Sequence, residues 1–367
     1  MKLLLTSDAS SEGAVPSAES VAGGKSETDL PPGPVTDIAD PAGASSERPF
    51  ISVAVPTYHR PDTIRRTIDS IVGQDFSNWE LVVSDDDGRG GQSWSIVEEY
   101  ARSDPRIRIV ENHRGRGQVE NTNNAMLACT GKWIKLLHDD DWLAPGALKR
   151  FAEISVEYPS VAFMTCAAHV VEENRVVTRS DPPEQNRISL YSSQQCLTDL
   201  YLVRVTRSLG IIPSTLLINA AVIHAGCQMR AHKSIPAGVD QLFFVDLARH
   251  GEMVAINEGL IFYDATHHPS ITTSKSYEEV DEVTLAVKQL NWHLIEDRKG
   301  LPRPEPLLRA LRVARIPARF RHQSLRTTMR DAVQILRPSV MKIANQYALE
   351  YLFKIRPKLG AVQTRKR

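Results

Sequence analysis

Asp139, Asp140 and Asp141 follow directly on the apolar run Trp133-Ile134-Lys135-Leu136-Leu137, which places three carboxylates where a buried strand leaves a sheet. Like charges so crowded repel strongly unless a cation sits among them, and oxygen-rich sites of this kind suit Mg²⁺ or Mn²⁺. A second acidic run, Asp85-Asp86-Asp87-Gly88, closes the apolar stretch Leu81-Val82-Val83. Two acidic strand ends in one half of a chain point to a nucleotide and a metal held at one edge of a sheet.

The elements that must position these groups alternate. Residues 51–55 read as a buried strand ended by Pro56, and residues 62–72 as a helix with Ile64, Ile68 and Ile71 on one face and Asp62 as N-cap. Strands follow at 80–84, 106–110 and 133–137, with helices at 93–102 and 119–129, Gly131 breaking the latter. Pro145, in the favoured first-turn position, opens a helix to about residue 157. This alternation predicts an α/β fold, a mostly parallel sheet flanked by helices, with ligands beyond the carboxyl ends of the strands. The middle is less regular, with strands expected near 161–165 and 260–263 and helices near 194–203, 240–250 and 277–296.

The chain of 367 residues has zero formal net charge, unevenly spread. Residues 298–367 hold 18 Lys and Arg against 3 Asp and Glu, about +15, leaving the preceding part about −15. An acidic body with a basic tail argues against a nucleic-acid reader and allows a tail that rests on an anionic membrane or partner. Residues 1–48, rich in Ser, Gly, Ala and Pro, cannot bury enough apolar surface to fold and are expected to be a disordered leader. The apolar start Leu3-Leu4-Leu5 is too short for a signal peptide, and no run of 18 clean apolar residues exists, so no membrane span is expected. Cys129, Cys166, Cys196 and Cys227, without CxxC spacing, read as reduced, mostly buried thiols of a cytoplasmic protein. The organisation expected is a main domain at 49–297, divided into 49–145 and 146–297, and a basic helical C-terminal extension at 298–367.

Ser52-Val53-Ala54-Val55-Pro56-Thr57-Tyr58-His59-Arg60 resembles the opening of inverting family-2 glycosyltransferases of the GT-A (nucleotide-diphospho-sugar transferase) fold. The resemblance continues through Glu80-Leu81-Val82-Val83-Ser84-Asp85-Asp86, Asn123, Gly131-Lys132-Trp133-Ile134 and His138-Asp139-Asp140-Asp141-Trp142-Leu143-Ala144-Pro145. These elements cover roughly residues 50–150 in order and spacing, and a weaker match runs from about 213 to 273. The resemblance implies that Pro56, Thr57 and Tyr58 lie against the base and ribose of a nucleotide-sugar, with an ordinary turn as the alternative for Thr57. It implies that Asp86 bonds the imide of uracil, while Asp87 is solvated. Asn123 and Arg116 belong to the same nucleotide-binding set, although Arg114 and Arg116 also suit solvated loop positions.

At the metal motif, usually Asp-X-Asp, His138 stands in the first acidic position. The resemblance then implies Asp140 as direct ligand, Asp139 near the ribose or a metal-bound water, Asp141 as third candidate or helix cap, and His138 packed under the site. A Mn²⁺ or Mg²⁺ ion bridging the donor diphosphate is the implied cofactor. The base that deprotonates the acceptor is implied at Asp240, whose alternative is a helix cap. His267, in His267-His268-Pro269-Ser270-Ile271-Thr272, is implied near diphosphate and metal, with His268 as the other register.

The function implied is non-processive transfer of a sugar, foremost from a UDP-sugar, to a hydroxyl acceptor on a saccharide, lipid-linked saccharide or other glycoconjugate. Lys288-Gln289-Leu290-Asn291-Trp292 lacks the Arg of the processive Gln-x-x-Arg-Trp signature, so Trp292 reads as helix packing. The basic extension reads as solvated helices, an oligomer contact or a peripheral contact with the inner membrane surface. Two competitors remain. A sugar-phosphate nucleotidyltransferase would need a Gly-rich phosphate loop after the first strand, where Pro56-Thr57-Tyr58-His59 stands. A catalytically silent nucleotide-sugar-binding scaffold would not need Asp86, Asp140 and Asp240 all intact.

Overall fold

A computed structural model describes residues 48–172, 175–179, 188–202, 212–231, 238–266 and 277–314. Strand β1 (Ile51–Thr57) is the hub: Ile51, Val53, Ala54 and Val55 are fully buried, as a parallel strand covered on both faces requires. It pairs in parallel with β2 (Trp79–Asp85) and with β4 (Trp133–Leu136), and β2 pairs in parallel with β3 (Ile107–Glu111). Helices α1 (Pro61–Val72), α2 (Gln92–Ser103) and α3 (Gln118–Leu127) make the crossovers. This half matches the sequence expectation within one or two residues at most boundaries.

Three local corrections have clear causes. Pro56 does not end β1. The Ala54 carbonyl accepts from Leu137 N at 3.0 Å, so by strand alternation the Pro56 nitrogen faces the β4 side too, past the last β4 pairing, and no ladder bond is lost. Asp62 is not the N-cap of α1. Arg60 holds that place, Pro61 starts the helix with its preset φ, and Asp62 lies in the first turn. Pro145 does not open the next helix either. Gly146, at φ 75°, turns the chain and α4 runs over Ala147–Glu157.

The second half is mixed rather than parallel. It contains β5 (Trp142–Leu143), β6 (Phe163–Glu172), β7 (Arg175–Arg179), β8 (Ile188–Tyr191), β9 (Leu217–Asn219) and β10 (Met253–Asp264). The sheet order is β3-β2-β1-β4-β9-β6-β10-β5, with β7 on β6 and β8 on β10. Strand β9 runs antiparallel to both β4 and β6, and so joins the two halves into one sheet. Its helices are α5 (Ser193–Tyr201), α6 (Ala220–His224), α7 (Val239–Arg249), α8 (Tyr277–Leu294) and α9 (Pro304–Ala314).

Apolar clusters fill both faces of the sheet. One joins α1 and α4 to the strands through Ile64, Ile68, Ile71 and Phe151, and the other gathers α3, α5 and α7. Leu307 of α9 is fully buried in the second cluster, so the start of the basic extension packs on the core. Trp292 is partly buried against the same cluster, its ring 5.5 Å from that of Tyr201, as helix packing predicts. Gly131 passes so close to β1 that a Cβ would lie 2.6 Å from Ser52 Oγ, which is why the chain can turn into β4 only with glycine there. All four cysteines are buried free thiols, and burial raises the pKa of each. Among the described residues no helix is long and apolar enough to cross a membrane. The expected helical extension beyond residue 314, and the leader up to residue 47, lie outside the described residues.

Candidate active site

The ends of β2, β1 and β4 are neighbours, so the two acidic runs and the turn after β1 meet at one edge. Thr57 is in register with Asp85, and the Asp86 N–H donates to the Thr57 carbonyl at 3.0 Å. Asp86 is held from two sides: one oxygen accepts from Asn112 Nδ2 at 2.7 Å, the other from the Gly117 N–H at 2.8 Å. Gly117 sits at φ 114°, a backbone state that L side chains rarely adopt, which lets its N–H reach that carboxylate. Asp85 is buried, its Oδ2 has no hydrogen-bond partner, and burial raises its pKa, with Asp87 and Asp86 adding repulsion. Asp87 pairs with His59 Nδ1 at 3.3 Å. Tyr58 is 48% exposed, with its ring 4.1 Å from that of His59, a flat surface open at the mouth of the site.

Asn123 serves a different purpose from the one expected. It is buried, its Nδ2 donates to the Met229 carbonyl at 2.7 Å, and its Oδ1 accepts from the Met229 N–H at 2.9 Å, so its amide is consumed as a clamp. Asn121 is the α3 amide that reaches the site: it donates to the Thr57 carbonyl at 3.0 Å and accepts from Ser84 Oγ at 2.7 Å. Arg116 is exposed between Gly115 and Gly117. His267 and His268 lie outside the described residues.

The loop 138–141 is gripped by one side of α1. Thr67 Oγ lies 3.0 Å from the Asp139 carbonyl and 2.7 Å from that of Asp141, and Arg66 Nη2 donates to the Asp140 carbonyl at 2.7 Å. Further along, Ser70 Oγ accepts from the Leu143 N–H at 3.1 Å and the Gln74 amide spans Ala144 and Leu148. Sequence reasoning missed this stripe, because polar residues on an amphipathic helix read as a solvent face. The spacing of Arg66, Thr67 and Ser70 on one side of the helix, continued by Gln74 just past its end, was the available signal. Arg66 also pairs with Asp264 at 2.7 Å and lies 3.9 Å over the Trp142 ring. Burial works against the Asp264 charge, but Thr266 and Arg66 hold its pKa below the ordinary value, and its N–H donates to Asp141 Oδ1 at 3.0 Å.

The three aspartates then part company. Asp139 is buried under β1, accepting from Thr57 Oγ at 2.7 Å and from the Tyr58 N–H at 3.4 Å. Burial, reinforced by Asp140 and opposed by Thr57, lifts its pKa to about 6. Asp141 is 1% exposed, with one oxygen bound to Asp264 N and Oδ2 lacking a partner, and burial raises its pKa too. His138, Asp140 and Asp141 each offer a ligand atom, all within 4.8 Å of one another. A buried, unpartnered carboxylate oxygen beside a second carboxylate and an imidazole fits a divalent cation. His138 therefore faces the cluster and does not pack beneath it.

Asp240 lies in the first turn of α7, after Gly238 at φ 82°. Gly238 holds the N-cap position and Asp240 is the second residue of the helix, so Asp240 is not its N-cap. Its Oδ1 is buried without a partner, and burial raises its pKa against the pull of His138. A desolvated carboxylate with a free lone pair beside the cation cluster has the properties of a general base.

The sequence of residues 52–211 matches the family model described as Glycosyl transferase family 2. The Escherichia coli protein named UDP-Glc:alpha-D-GlcNAc-diphosphoundecaprenol beta-1,3-glucosyltransferase WfgD is 29% identical over 154 residues, 41% of this chain and 58% of that one. The Campylobacter jejuni GalNAc(5)-diNAcBac-PP-undecaprenol beta-1,3-glucosyltransferase is 34% identical over 119 residues, 32% of this chain and 38% of that one. The chain thus spans less than two thirds of the length of either relative. Among solved structures, Staphylococcus aureus TarS 1-349 in complex with UDP-GlcNAc has the same fold, with TM-score 0.54 and 18% identity over 80% of this chain and 83% of that one.

Proposed function

The chain belongs to glycosyltransferase family 2 and has a GT-A fold, and on that premise we propose that it is a metal-dependent, inverting, non-processive glycosyltransferase. It moves a sugar from a nucleotide-sugar, foremost a UDP-sugar, to a hydroxyl acceptor in polysaccharide or glycoconjugate assembly. One observation carries the reading: Asp86, the loop 138–141 and the desolvated Asp240 converge on one sheet edge, with His138 close enough to Asp240 to oppose its raised pKa.

In this reading Asp86, fixed by Asn112 and Gly117, accepts from the imide of uracil, and a carboxylate there disfavours cytosine, which has an acceptor at the same position. Tyr58 covers the base, Thr57 and Asp139 bind the ribose side, and Arg116 reaches the diphosphate. Asp140 and Asp141 would hold the cation, which when bound supplies Lewis-acid neutralisation of the departing diphosphate. Asp240 takes the proton from the acceptor hydroxyl as that oxygen attacks the anomeric carbon opposite the leaving group. A UDP-sugar donor is supported by the name of WfgD and by the UDP-GlcNAc complex of TarS. We place the enzyme in the cytoplasm, with the basic residues 298–367 as a contact with the inner membrane surface. Equal retention on anionic liposomes after truncation at 298 would remove that contact.

The test is a thermal-shift screen of nucleotide-sugars with Mn²⁺, followed by donor turnover. A UDP-sugar should stabilise the protein only with the metal, and Asp140→Ala should abolish both stabilisation and donor hydrolysis. Failure of every donor to bind or turn over overturns the reading in favour of a silent scaffold.

A further inference from the structure

We propose that His138 is itself a metal ligand, and that its imidazole makes the site prefer Mn²⁺ and the later first-row divalent metals over Mg²⁺. The inference rests on reading loop 138–141 as a metal site, and it concerns what this chain places in the first acidic position of that loop. The ligand atoms of His138, Asp140 and Asp141 lie within 4.8 Å of one another. Ligands about 2.1 Å from one ion are at most about 4.2 Å apart, so a bound ion needs the widest pair to close by about half an ångström. Asp141, which offers one of these atoms, is buried and its Oδ2 has no hydrogen-bond partner. Asp139 is not among the three, because its carboxylate is turned under β1 onto Thr57 and Tyr58. With Asp139 spent there, two carboxylates and one imidazole are what the loop offers.

The His138 backbone is fixed as firmly as its neighbours. Its N–H donates to Ser214 Oγ at 3.0 Å and its carbonyl accepts from the Asp141 N–H at 3.2 Å, closing a tight turn. Arg66 and Thr67 hold the three carbonyls that follow. The ring is therefore presented by a rigid loop, which is how a first ligand is preorganised. Mg²⁺ takes oxygen ligands and keeps its waters, whereas imidazole suits transition metals, whose affinity rises from Mn²⁺ toward Cu²⁺. Replacing a carboxylate by imidazole also removes one negative charge, which weakens the site most for a hard cation held by charge.

Pulsed electron paramagnetic resonance of the full-length protein with MnCl₂ and UDP tests this without reference to activity. The expected result is ¹⁴N modulation from a directly bound imidazole, absent in His138→Asp, which keeps a ligand but replaces nitrogen by oxygen. Competition titration should show wild type favouring Mn²⁺ over Mg²⁺, and His138→Asp narrowing that ratio by about tenfold. Bound Mn²⁺ without ¹⁴N modulation in wild type overturns the inference and leaves the transferase reading standing, as does an unchanged metal ratio in a folded His138→Asp. Absence of any bound Mn²⁺ overturns both. Modulation that persists in His267→Ala and in His268→Ala assigns the nitrogen to His138 even if the His138 variant fails to fold, and its loss in either overturns the inference.

Discussion

Thr67→Val isolates the grip of α1 on the metal loop. Thr67 is fully buried, and its hydroxyl faces the carbonyls of Asp139 at 3.0 Å and Asp141 at 2.7 Å. Valine has nearly the same shape, so the change removes a donor without opening a cavity. The hydroxyl has one proton, so the two carbonyls share one bond, and its loss leaves at least one of them buried and unpaired at a cost of about 1–3 kcal/mol. For a domain of this size each kcal/mol shifts Tm by about 2–4 °C, giving a fall of about 2–12 °C. A methyl group cannot stay 2.7 Å from a carbonyl oxygen, so Asp141 must also move, and Mn²⁺ should bind more weakly. Calorimetry and a manganese titration read the two effects separately. Thr67→Ser, which keeps the hydroxyl and loses one methyl, should cost about 1 kcal/mol and leave the metal affinity near wild type. The reasoning is refuted if Thr67→Val matches wild type in both measurements, or if serine proves the worse substitution.

Asp240→Asn should lower transfer kcat by about 10²–10⁴ while UDP binding measured by calorimetry stays unchanged; near-normal transfer would remove Asp240 as the base. Asp86→Ala removes a charged acceptor that also anchors Asn112 and Gly117, and should weaken UDP binding by about 10–100-fold in the same assay. Equal affinity would take Asp86 out of base recognition. The metal-free protein should grow more stable on acidification from pH 7.5 to 5. Asp139 has a folded pKa of about 6, above its unfolded value of about 3.9, so the folded state binds the extra proton. The gain is about 1 kcal/mol from this group, and Asp141 acts in the same direction. Glu80, Asp104 and Asp264, whose pKa values are lowered, act mainly below that range; His250, whose pKa burial lowers, opposes the gain within it, while Asp85 and Asp240, raised by burial, add to it. With saturating Mn²⁺ the trend should reverse, because the metal requires the deprotonated carboxylates; thermal melts across this range with and without Mn²⁺ check both signs.

What could be read from the chain was local. The first four strands are short β-branched runs closed by turn residues, and their alternation with helices dictates both the parallel pairing and the edge where Asp86 and Asp140 emerge. The place of Asp240 in the first turn of a helix was legible because a clear apolar helix pattern begins there. The misses at the site and in the short strands involve distant partners. Asn121 and Asn123 are two positions apart on α3, and only packing decides that one faces Thr57 and the other Met229. Strands β5 and β9 have two and three residues, too few for a period, and they exist because longer neighbours offer them free edges. The polar stripe of α1 looks like a solvent face until the loop 139–148 is laid against it.

Lys135 explains how the two halves of the sheet come to share one site. It is fully buried in β4, and its ammonium donates to the Leu136 carbonyl at 2.8 Å, the Leu216 carbonyl at 3.3 Å and the Ser214 carbonyl. Burial lowers its pKa to about 8, with Cys166 and Asp141 pulling the other way. A methylene stem inside the core and a head shared by three carbonyls tie β4 to the turn at Pro213–Thr215, which belongs to the second half. Ser214 of that turn receives the His138 N–H, which fixes the start of the loop. The same lysine thus fixes the segment that orients the loop and lends positive charge beneath it, offsetting part of the repulsion among the carboxylates. A loop so supported from α1 on one side and from Lys135 and Ser214 on the other can keep its acidic side chains converged before any cation arrives.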